Sequence, residues 1–384
     1  MGAPFTEGYT YQDNLLPEYQ HKLGHDVTII TSCYKRNDNG KIIKTSPEDK
    51  ILENSIRLIR IDNKSKIQRV LGLYHKIYFL LKEIKPDFVF IHSLASCIHG
   101  LVIKYKKKYN NELIIVADTH QDYYNSNINF PFNLLILFYK CKWKKWIKST
   151  KKVYATTSWR MKFANEIYNI PKEKLSILHT GIDIDKIPKD ISTIRKETRE
   201  ELGISNDTFL FVTGGKLDKK KKTLEAIKAF KSMTSNNTKF LIFGSLSPDI
   251  REEFYELIKN DSRIKYIGFV LSNTIYKYFL ASDFGIFPAS HSVLWEEAIG
   301  CGLPCLFKQY EEHDHTDVNG NCIRMENYTE NDLCVIMMHL LSDIPYYQKL
   351  KKAAVEAAPS FSYRSIAEKS LECAMDNTVL GRNE

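Results

Sequence analysis

The sequence predicts an α/β protein with two lobes, each built on a parallel sheet. Short apolar, strand-like runs alternate with helix-like segments along the chain, which is the pattern of repeated βαβ units. The chain has 384 residues, 43% of them hydrophobic, which suffices for two cores because domains average ~150 residues. A polar, charged stretch over residues 184–200 separates two such alternations, and we place the boundary between the lobes there.

The strand-like runs are shared between the two halves of the chain. In the first half they are Val27–Thr31, Ile56–Ile61, Phe88–Ile91, Leu113–Val116 and Val153–Thr156. In the second half they are Phe209–Thr213, Lys239–Phe243, Ile264–Ile267, Phe284–Phe287 and Pro304–Phe307. Helical patterns lie between them, for example over Leu224–Ser232 and Pro248–Lys259. The predicted organisation is a first domain over residues 1–188, a second over 189–360, and a final helix over 361–384.

The start of the chain looks like the loop and helix that follow the first strand of a lobe. That strand itself is not in the sequence. A parallel sheet that lacks a central strand leaves backbone N–H and C=O groups of the neighbouring strands unpaired, and it uncovers apolar side chains that would otherwise be buried. We therefore expect translation of the natural protein to begin upstream of Met1.

Charge is distributed unevenly along the chain. The net charge is +9, but residues 1–190 hold 31 Lys and Arg against 19 Asp and Glu, or +12, and the remainder holds 24 against 27, or −3. A basic first half indicates docking on an anionic surface, such as membrane headgroups, a phosphorylated lipid carrier or nucleic acid. The eight cysteines lack paired spacing, which is typical of reduced thiols in a cytoplasmic protein.

Residues 282–307 carry the clearest functional signal. They consist of an apolar strand, Phe284–Phe287, a short polar loop, and a helix that ends at Gly302 and Pro304. Glu297 lies in the first turn of that helix. Ligands of open parallel sheets bind beside the carboxyl ends of strands, so this carboxylate can reach a ligand. The alternative is that Glu297 only complements the helix dipole.

This segment resembles the nucleotide-sugar half of retaining GT-B glycosyltransferases, specifically glycosyltransferase family 4. In that family a glutamate followed by a Gly-x-Pro turn binds the donor ribose, a role that the resemblance gives to Glu297. The family usually has a second glutamate eight residues earlier, which contacts the donor sugar. Here that position is Ala289, and Ser290 and His291 are the adjacent polar candidates. The resemblance implies two Rossmann-like lobes with parallel sheets facing across a cleft, and a final helix that crosses back to the first lobe.

A second constellation occupies residues 211–230, where a strand is followed by two glycines and by lysines that lead into a helix. Glycines let backbone N–H groups approach a ligand and lysines neutralise phosphate, so the pattern is typical of a diphosphate site. The family pattern is Gly-Arg-Leu with a lysine five residues after the arginine. It assigns Gly215, Lys216 and Lys221 to donor binding, with lysine in place of arginine. The alternative is a solvated charge run, which we expect for the two lysines between them.

Two further segments match the family more loosely. Gly268 and Val270 follow a strand where the family reads the nucleotide base through its backbone, although such a Gly-Phe turn is also common without a ligand. Gly8 lies in a loop like the glycine-bearing loop that the family places over the diphosphate.

His120 follows a strand end in the first lobe, near a histidine that contacts the donor sugar across the cleft in the family. Its imidazole can bond a sugar hydroxyl or stabilise developing charge. The equal alternative is a structural histidine bound to Asp118 or Asp122. His92 follows an earlier strand, and there the structural interpretation is favoured.

Residues 131–152 combine an aromatic and aliphatic stretch with seven lysines and no acidic residue. A basic helix with Trp143 and Trp146 is typical of a membrane-surface anchor. The alternative is an ordinary helix whose apolar side packs on the lobe while its lysines stay solvated.

The resemblance implies a cytoplasmic enzyme, peripheral on the inner face of the plasma membrane, that transfers a sugar with retention. The donor would be a nucleotide-diphosphate sugar, with a UDP-sugar expected first, and the acceptor a hydroxyl of a glycan or lipid-linked molecule. The implied role is bacterial surface polysaccharide synthesis, as in O-antigen, capsule or lipopolysaccharide. His120, Lys216 and Lys221 would be the catalytic residues, and neither a metal nor a cofactor is expected.

Two other functions remain open from the sequence. A non-catalytic nucleotide-sugar-binding homologue acting as a partner subunit is compatible with Ala289 and with lysine at position 216. A nucleic-acid-binding protein would use the basic half, but no helix-turn-helix, zinc-finger or RNA-recognition motif occurs, so we expect no nucleic-acid partner.

Overall fold

The structure is a computed structural model that describes residues 5–37, 41–62, 71, 74–123, 126, 128–130, 132–309 and 314–380. The chain divides into two compact units. The N-terminal unit comprises Met1–His179 together with Ile366–Glu384, and the C-terminal unit comprises Thr180–Ser365. Each unit is an α/β lobe with parallel strands, which confirms the predicted fold class.

The N-terminal unit contains the following elements among its described residues. Its helices are α1 (Gln12–Lys22), α2 (Lys76–Ile84), α3 (Ile98–Tyr109), α4 (Phe132–Trp146) and α5 (Ser158–Tyr168). Its strands are β1 (Thr28–Ser32), β2 (Tyr34–Arg36), β3 (Ile42–Lys44), β4 (Glu48–Ile51), β5 (Arg57–Ile61), β6 (Phe88–His92), β7 (Ile114–Thr119), β8 (Lys152–Ala155) and β9 (Leu175–Ile177). Strands β6-β7-β8-β9 form a parallel sheet, β1 pairs in parallel with β5 and β4 is antiparallel to β5, and β2 and β3 form a hairpin.

The C-terminal unit is built on one six-stranded parallel sheet of order β12-β11-β10-β13-β14-β15. The strands are β10 (Phe209–Leu217), β11 (Thr238–Leu246), β12 (Ile264–Tyr266), β13 (Phe284–Phe287), β14 (Cys305–Lys308) and β15 (Cys322–Met325). The helices are α6 (Ile191–Leu202), α7 (Thr223–Lys231), α8 (Arg251–Ile258), α9 (Ile275–Ala281), α10 (Leu294–Gly300), α11 (Glu330–Ser342) and α12 (Ile344–Ala357).

Helices cover both faces of this sheet, because side chains alternate between the faces along each strand. On β10, Phe211 packs in one apolar cluster, while Leu210 and Val212 pack in the other. All three side chains are fully buried. The sheet is therefore rigid, and the loops at its carboxyl edge are held by a packed core.

The last helix, α13 (Tyr363–Leu380), belongs to the N-terminal unit from Ile366 onward. The side-chain amide of Gln20 donates a hydrogen bond of 2.9 Å to the hydroxyl of Ser370. The hydroxyl of Tyr154 donates to the carbonyl of Lys369 at 3.1 Å. These bonds attach α13 to α1 and β8.

Helix α4 differs from the amphipathic anchor that the tryptophans predicted. Trp143 and Trp146 are buried, and the indole N–H of Trp143 donates to the carbonyl of Leu94 at 2.9 Å. They cannot contact a membrane because they belong to the core of the lobe. Within the described part of the chain, none of the helices has the length and apolar character that crossing a bilayer requires.

The ten predicted strand-like runs are all strands, with ends that shift by a few residues. The charged stretch over 184–200 lies between the strands of the two units, and most of it forms α6; the predicted domain boundary there stays a prediction. That helix is capped by Asp190, whose carboxylate accepts from the backbone N–H of Thr193 at 3.1 Å, and it ends at Gly203 with φ +63°. The expected absence of a first strand concerns residues outside the described ranges and stays a prediction.

Candidate functional site

Three strands end side by side at the carboxyl edge of the C-terminal sheet, and glycines allow them to approach closely. Gly215 of β10 pairs with Gly244 of β11, and both have positive φ, +112° and +124°. A Cβ on Gly244 would lie 1.8 Å from the carbonyl oxygen of Gly215, so no other residue fits there. The N–H of Gly244 donates to the carbonyl of Gly268 at 2.6 Å. In parallel sheets this edge is where ligands bind.

Lys221 ends a short 3-10 turn, Lys219–Lys221, between β10 and α7. Its Nζ atom donates to the carbonyl oxygens of Ser290 at 2.5 Å and His291 at 3.2 Å. Burial lowers the pKa of Lys221 to about 8, although the nearby carboxylate of Asp218 opposes this shift. An ammonium group held in this way is well placed to bind an anion.

A small, partly enclosed recess lies beside Lys221. Its walls include Thr213 and Gly214 at the end of β10, and Ala289 and Ser290 after β13. Two residues that the sequence assigned to the donor, Lys221 and Ser290, therefore line one recess. Ala289 lies in the wall where the family usually has a glutamate, so this wall offers no carboxylate at that position.

Lys216 lies outside this group. Its side chain is 74% exposed, and its Nζ atom is 3.8 Å from a carboxylate oxygen of Asp218. Lys219 and Lys220 are also exposed, which agrees with the prediction that these two lysines are solvated. The structure thus separates a half-buried lysine at 221 from solvated lysines around it.

Glu297 lies in the first turn of α10, where its backbone N–H donates to the carbonyl of Val293. Among the described residues, its carboxyl group has no hydrogen-bonding or ion-pair partner. Burial, together with the negative charge of neighbouring Glu296, raises the pKa of Glu297 to about 8. A partly desolvated carboxyl without partners can accept hydrogen bonds from ligand hydroxyls.

His291, Glu296 and His315 converge in the same unit. Oε1 of Glu296 lies 2.7 Å from Nε2 of His291 and 2.9 Å from Nε2 of His315. Although burial opposes ionisation, the two imidazoles hold the pKa of this carboxyl well below its usual range. One ligand atom from each residue lies within 4.8 Å of the others, so the group is also a candidate metal-ligand set.

Sequence reasoning named His291 but missed Glu296 and His315. Glu296 stands beside Glu297, and helix geometry turns these neighbours in different directions, one toward the core and one toward the edge. His315 is far away in sequence, in the turn Asp314–Thr316 after β14. Only the fold brings it to Glu296.

The predicted base-binding segment continues from β12. Gly268 has φ +75°, a conformation that favours glycine, and its carbonyl accepts a hydrogen bond from the N–H of Gly244. A glycine at position 268 is therefore explained by the backbone conformation without a ligand. Val270 packs against the core beside β11, whereas Phe269 is 72% exposed. The assignment of Gly268 and Val270 to the nucleotide base stays a prediction.

In the N-terminal unit, Asp118 is a buried carboxylate at the end of β7. Its Oδ2 atom lies 2.9 Å from Nδ1 of His92 and 3.4 Å from Nε2 of His120. Burial disfavours a charged imidazole, but the carboxylates of Asp118 and Asp13 outweigh it and raise the pKa of His92 to about 9. His92 therefore forms an ion pair with the buried carboxylate of Asp118, and His120 contacts Asp118, one of the two aspartates named in the structural alternative.

Gly8 lies in an exposed turn with φ +79°, a conformation that favours glycine. The turn is held by Asn14, whose side-chain amide donates to the carbonyl of Thr6 at 2.8 Å. Turn geometry alone accounts for this glycine, and its placement over a diphosphate stays a prediction.

Comparison with known proteins supports the assignment of a glycosyltransferase. The family model described as Glycosyltransferase Family 4 matches residues 15–186. A relative from Escherichia coli, UDP-Gal:alpha-D-GlcNAc-diphosphoundecaprenol alpha-1,3-galactosyltransferase, is 24% identical over 307 residues, which are 74% of this chain and 72% of that protein.

Solved structures show the same fold. A glycosyltransferase from Rickettsia africae ESF-5 superposes with a TM-score of 0.71 at 18% identity, over 96% of this chain and 94% of that one. Anabaena HepE, solved in complex with UDP-glucose, superposes with a TM-score of 0.56 at 15% identity, over 85% and 87%. With the two α/β lobes described above, these similarities show that the protein is a glycosyltransferase with the GT-B fold.

Proposed function

We propose that the protein transfers a sugar from a UDP-sugar to an acceptor hydroxyl with retention of the anomeric configuration. The observation that carries this proposal is Lys221, whose half-buried ammonium group lies beside a small recess at the carboxyl edge of the sheet. The choice of donor is supported by HepE, which was solved with UDP-glucose, and by the Escherichia coli relative, whose name specifies UDP-Gal.

Breaking the anomeric C–O bond leaves negative charge on the departing diphosphate and positive charge on the sugar. In this proposal Lys221 stabilises the departing charge, assisted by the exposed Lys216 once a donor is bound. These two ammonium groups do the work of a divalent ion, so the reaction needs neither a metal nor a cofactor. His120 stabilises the sugar end of the reaction.

Glu297 binds the ribose of the donor. Below its pKa of about 8 the Glu297 carboxyl donates to one ribose hydroxyl and accepts from another. Once ionised it accepts from both, and such charge-assisted bonds are stronger than neutral ones. The carboxyl group lacks partners among the described residues, and donor hydroxyls would supply them. Main-chain groups of Gly215, Gly268 and Val270 approach the diphosphate and the base, Ser290 and His291 contact the sugar, and Gly8 lies near the diphosphate.

The acceptor is a glycan or a lipid-linked molecule of bacterial surface polysaccharide synthesis. The name of the Escherichia coli relative specifies a sugar carried on diphosphoundecaprenol. An acceptor with a long polyprenyl chain stays in the membrane, so its enzyme must work at the membrane surface.

A surface patch at the start of α4 fits that requirement. Each of four apolar side chains is at least half exposed: Phe130, Phe132, Leu134 and Leu137. We call these four residues the α4 patch. Exposed lysines follow at Lys142, Lys144 and Lys145 in the second half of the helix, and at Lys148 in the short turn after it. Apolar side chains beside lysines bind anionic lipid surfaces, so the protein docks peripherally on the inner face of the plasma membrane.

The test is transfer itself. The purified protein is incubated in EDTA with UDP-glucose, UDP-galactose or UDP-N-acetylglucosamine and a lipid-linked acceptor, and products are separated by chromatography. NMR of the product shows the configuration of the anomeric carbon. Transfer with the same configuration as in the donor supports the proposal. Inverted product, or transfer that requires a divalent ion, contradicts the corresponding part of it.

A second candidate function is a non-catalytic nucleotide-sugar-binding subunit. It is favoured by Ala289 in the wall of the recess, where the family usually has a glutamate. In that case titration calorimetry shows donor binding, but neither sugar transfer nor donor hydrolysis occurs with any acceptor.

A further inference from the structure

The loop after β13 is fixed by a hydrogen bond to the carboxylate of Glu296. Glu296 is fully buried, and its Oε1 atom accepts hydrogen bonds from Nε2 of His291 and Nε2 of His315. His291 belongs to the loop after β13, and His315 belongs to the turn after β14. A single carboxylate on α10 therefore ties two loops at the carboxyl edge of the sheet.

Distances decide whether this group is a metal site or a hydrogen-bonded clamp. Ligand atoms that lie ~2.0–2.2 Å from a tetrahedral zinc are ~3.3 Å or more from one another. The two N···O distances here, 2.7 and 2.9 Å, are those of charge-assisted hydrogen bonds. The geometry therefore favours a clamp in which two imidazoles donate to one carboxylate oxygen.

The clamp acts on the same loop that holds Lys221. The carbonyl oxygens of Ser290 and His291 accept from Lys221 Nζ, and His291 is the residue whose ring donates to Glu296. The ring of His291 also packs edge-on against Trp295, with centroids 5.1 Å apart. The main chain at 290–291 is thus fixed on one side by Glu296 and presents its carbonyls to Lys221 on the other.

We propose that Glu296 is a positioning residue for donor binding, which holds the 290–291 carbonyls in place so that they aim Lys221 at the recess. This inference rests on the proposed function of Lys221 in binding the donor diphosphate. A lysine side chain is long and flexible, and fixing it before the ligand arrives removes an ordering cost from binding. A buried carboxylate is costly unless its hydrogen bonds are satisfied, so its presence beneath the loop calls for a reason.

A double-mutant cycle tests this coupling. Donor affinity is measured by titration calorimetry with UDP-glucose, or with the UDP-sugar that binds, for wild type, Lys221→Met, Glu296→Leu and the double variant. We expect Lys221→Met to weaken binding about 30-fold, as loss of a charged hydrogen bond does. Glu296→Leu should weaken it about tenfold, and the double variant should be no weaker than Lys221→Met alone, because both act through one ammonium.

Each outcome of the cycle has a defined meaning. Independent losses, giving about 300-fold in the double variant, would overturn the inference while leaving the role of Lys221 intact. An affinity unchanged by Lys221→Met would contradict the proposed function and this inference with it.

Further variants guard against misfolding and against a hidden metal. Glu296→Gln keeps an oxygen that accepts both hydrogen bonds, so it should stay within about twofold of wild type; a loss equal to that of Glu296→Leu would overturn the clamp. If Glu296→Leu does not fold, His315→Leu, which removes one of the two bonds, replaces it in the cycle. The matched control is His339→Leu, which removes a histidine from an exposed ion pair with Asp343. Stoichiometric metal in the wild-type protein by elemental analysis would also overturn the inference.

Discussion

The Nζ atom of Lys221 lies 2.5 Å from the main-chain carbonyl oxygen of Ser290, two residues that are far apart in sequence. This bond connects the segment after β10 to the loop after β13, two strands that are neighbours in the sheet. It holds an ammonium group next to a recess without neutralising its charge. A group of this kind binds an anionic ligand more tightly than a freely moving surface lysine does.

Replacing Lys221 tests its part in catalysis. We expect Lys221→Met to lower kcat/KM about 100-fold, because the departing diphosphate loses a partly desolvated positive partner worth about 3 kcal/mol. Lys220→Met is the matched control, since it removes an exposed lysine from the same turn and should change kcat/KM less than about twofold. Equal effects of the two variants would contradict the role of Lys221.

Donor affinity should depend on pH through Lys221. Its pKa is lowered to about 8, and an anionic donor binds the protonated form, so affinity is full below pH 8 and falls as pH rises above it. Calorimetric titrations from pH 6.5 to 9.5 measure this slope. Lys221→Met should lose the slope, and a variant that keeps it would assign the titration to another group.

Glu297 should reduce stability at alkaline pH. Its folded-state pKa, about 8, is above the ordinary carboxyl value of 4.5, so the folded state binds this proton more tightly than the unfolded chain. The associated stability is full below pH 4.5 and is lost as pH rises to 8. Glu297→Gln removes this dependence.

We therefore expect Glu297→Gln to raise the free energy of unfolding by about 1–2 kcal/mol at pH 8.5 and to leave it unchanged at pH 4.5. Urea denaturation at the two pH values measures the difference. In contrast, Glu297→Ala should abolish the thermal shift that a bound donor produces. A Glu297→Ala protein with intact donor affinity would rule out the ribose assignment.

The α4 patch should mediate binding to lipid vesicles. The double variant Phe132→Ser/Leu134→Ser should weaken binding to vesicles rich in phosphatidylglycerol about tenfold, because two exposed apolar side chains no longer insert. The matched control is Val335→Ser/Val355→Ser, which changes two exposed valines of the C-terminal unit. Sedimentation with vesicles gives the bound fraction, and equal losses in both double variants would exclude the α4 patch.

Asp118 should control the protonation of His92. The pKa of His92 is about 9, and Asp118→Asn removes the nearer of the two carboxylates that raise it, so the pKa should fall, although Asp13 still raises it. NMR titration of the imidazole measures the change. Asp122→Asn is the control, since Asp122 contacts Arg160 instead. A His92 pKa that stays near 9 in Asp118→Asn would show that another charge raises it.

The strands were predictable because they are short apolar runs, and a buried parallel strand needs little else. Helix α6 was missed because its sequence, ISTIRKETREEL, is charged on most of its surface, and only the caps at Asp190 and Gly203 mark its ends. Trp143 and Trp146 were misplaced for a related reason. A basic, aromatic helix has the same composition whether its aromatics face lipid or core, and only packing distinguishes the two.

The candidate site was likewise only partly predictable from the sequence. Lys221 was predicted as a donor-binding residue from its spacing from Lys216 in a family pattern, but that spacing does not show that one lysine lines the recess while the other faces solvent. Glu296 and His315 were not identified at all. Their contact depends on the packing of the turn after β14 against α10, and no local pattern marks it.

Comparing a nucleoside diphosphate with its nucleoside measures how much the diphosphate contributes to donor binding. Titration calorimetry in EDTA, with UDP against uridine and the same pairs for GDP and ADP, isolates the contribution of the diphosphate. For the base that binds, we expect the nucleoside diphosphate to bind at least tenfold more tightly than the nucleoside, and Lys221→Met to remove most of this ratio. Equal affinities in the wild-type protein, or a ratio that Lys221→Met leaves unchanged, would contradict this expectation.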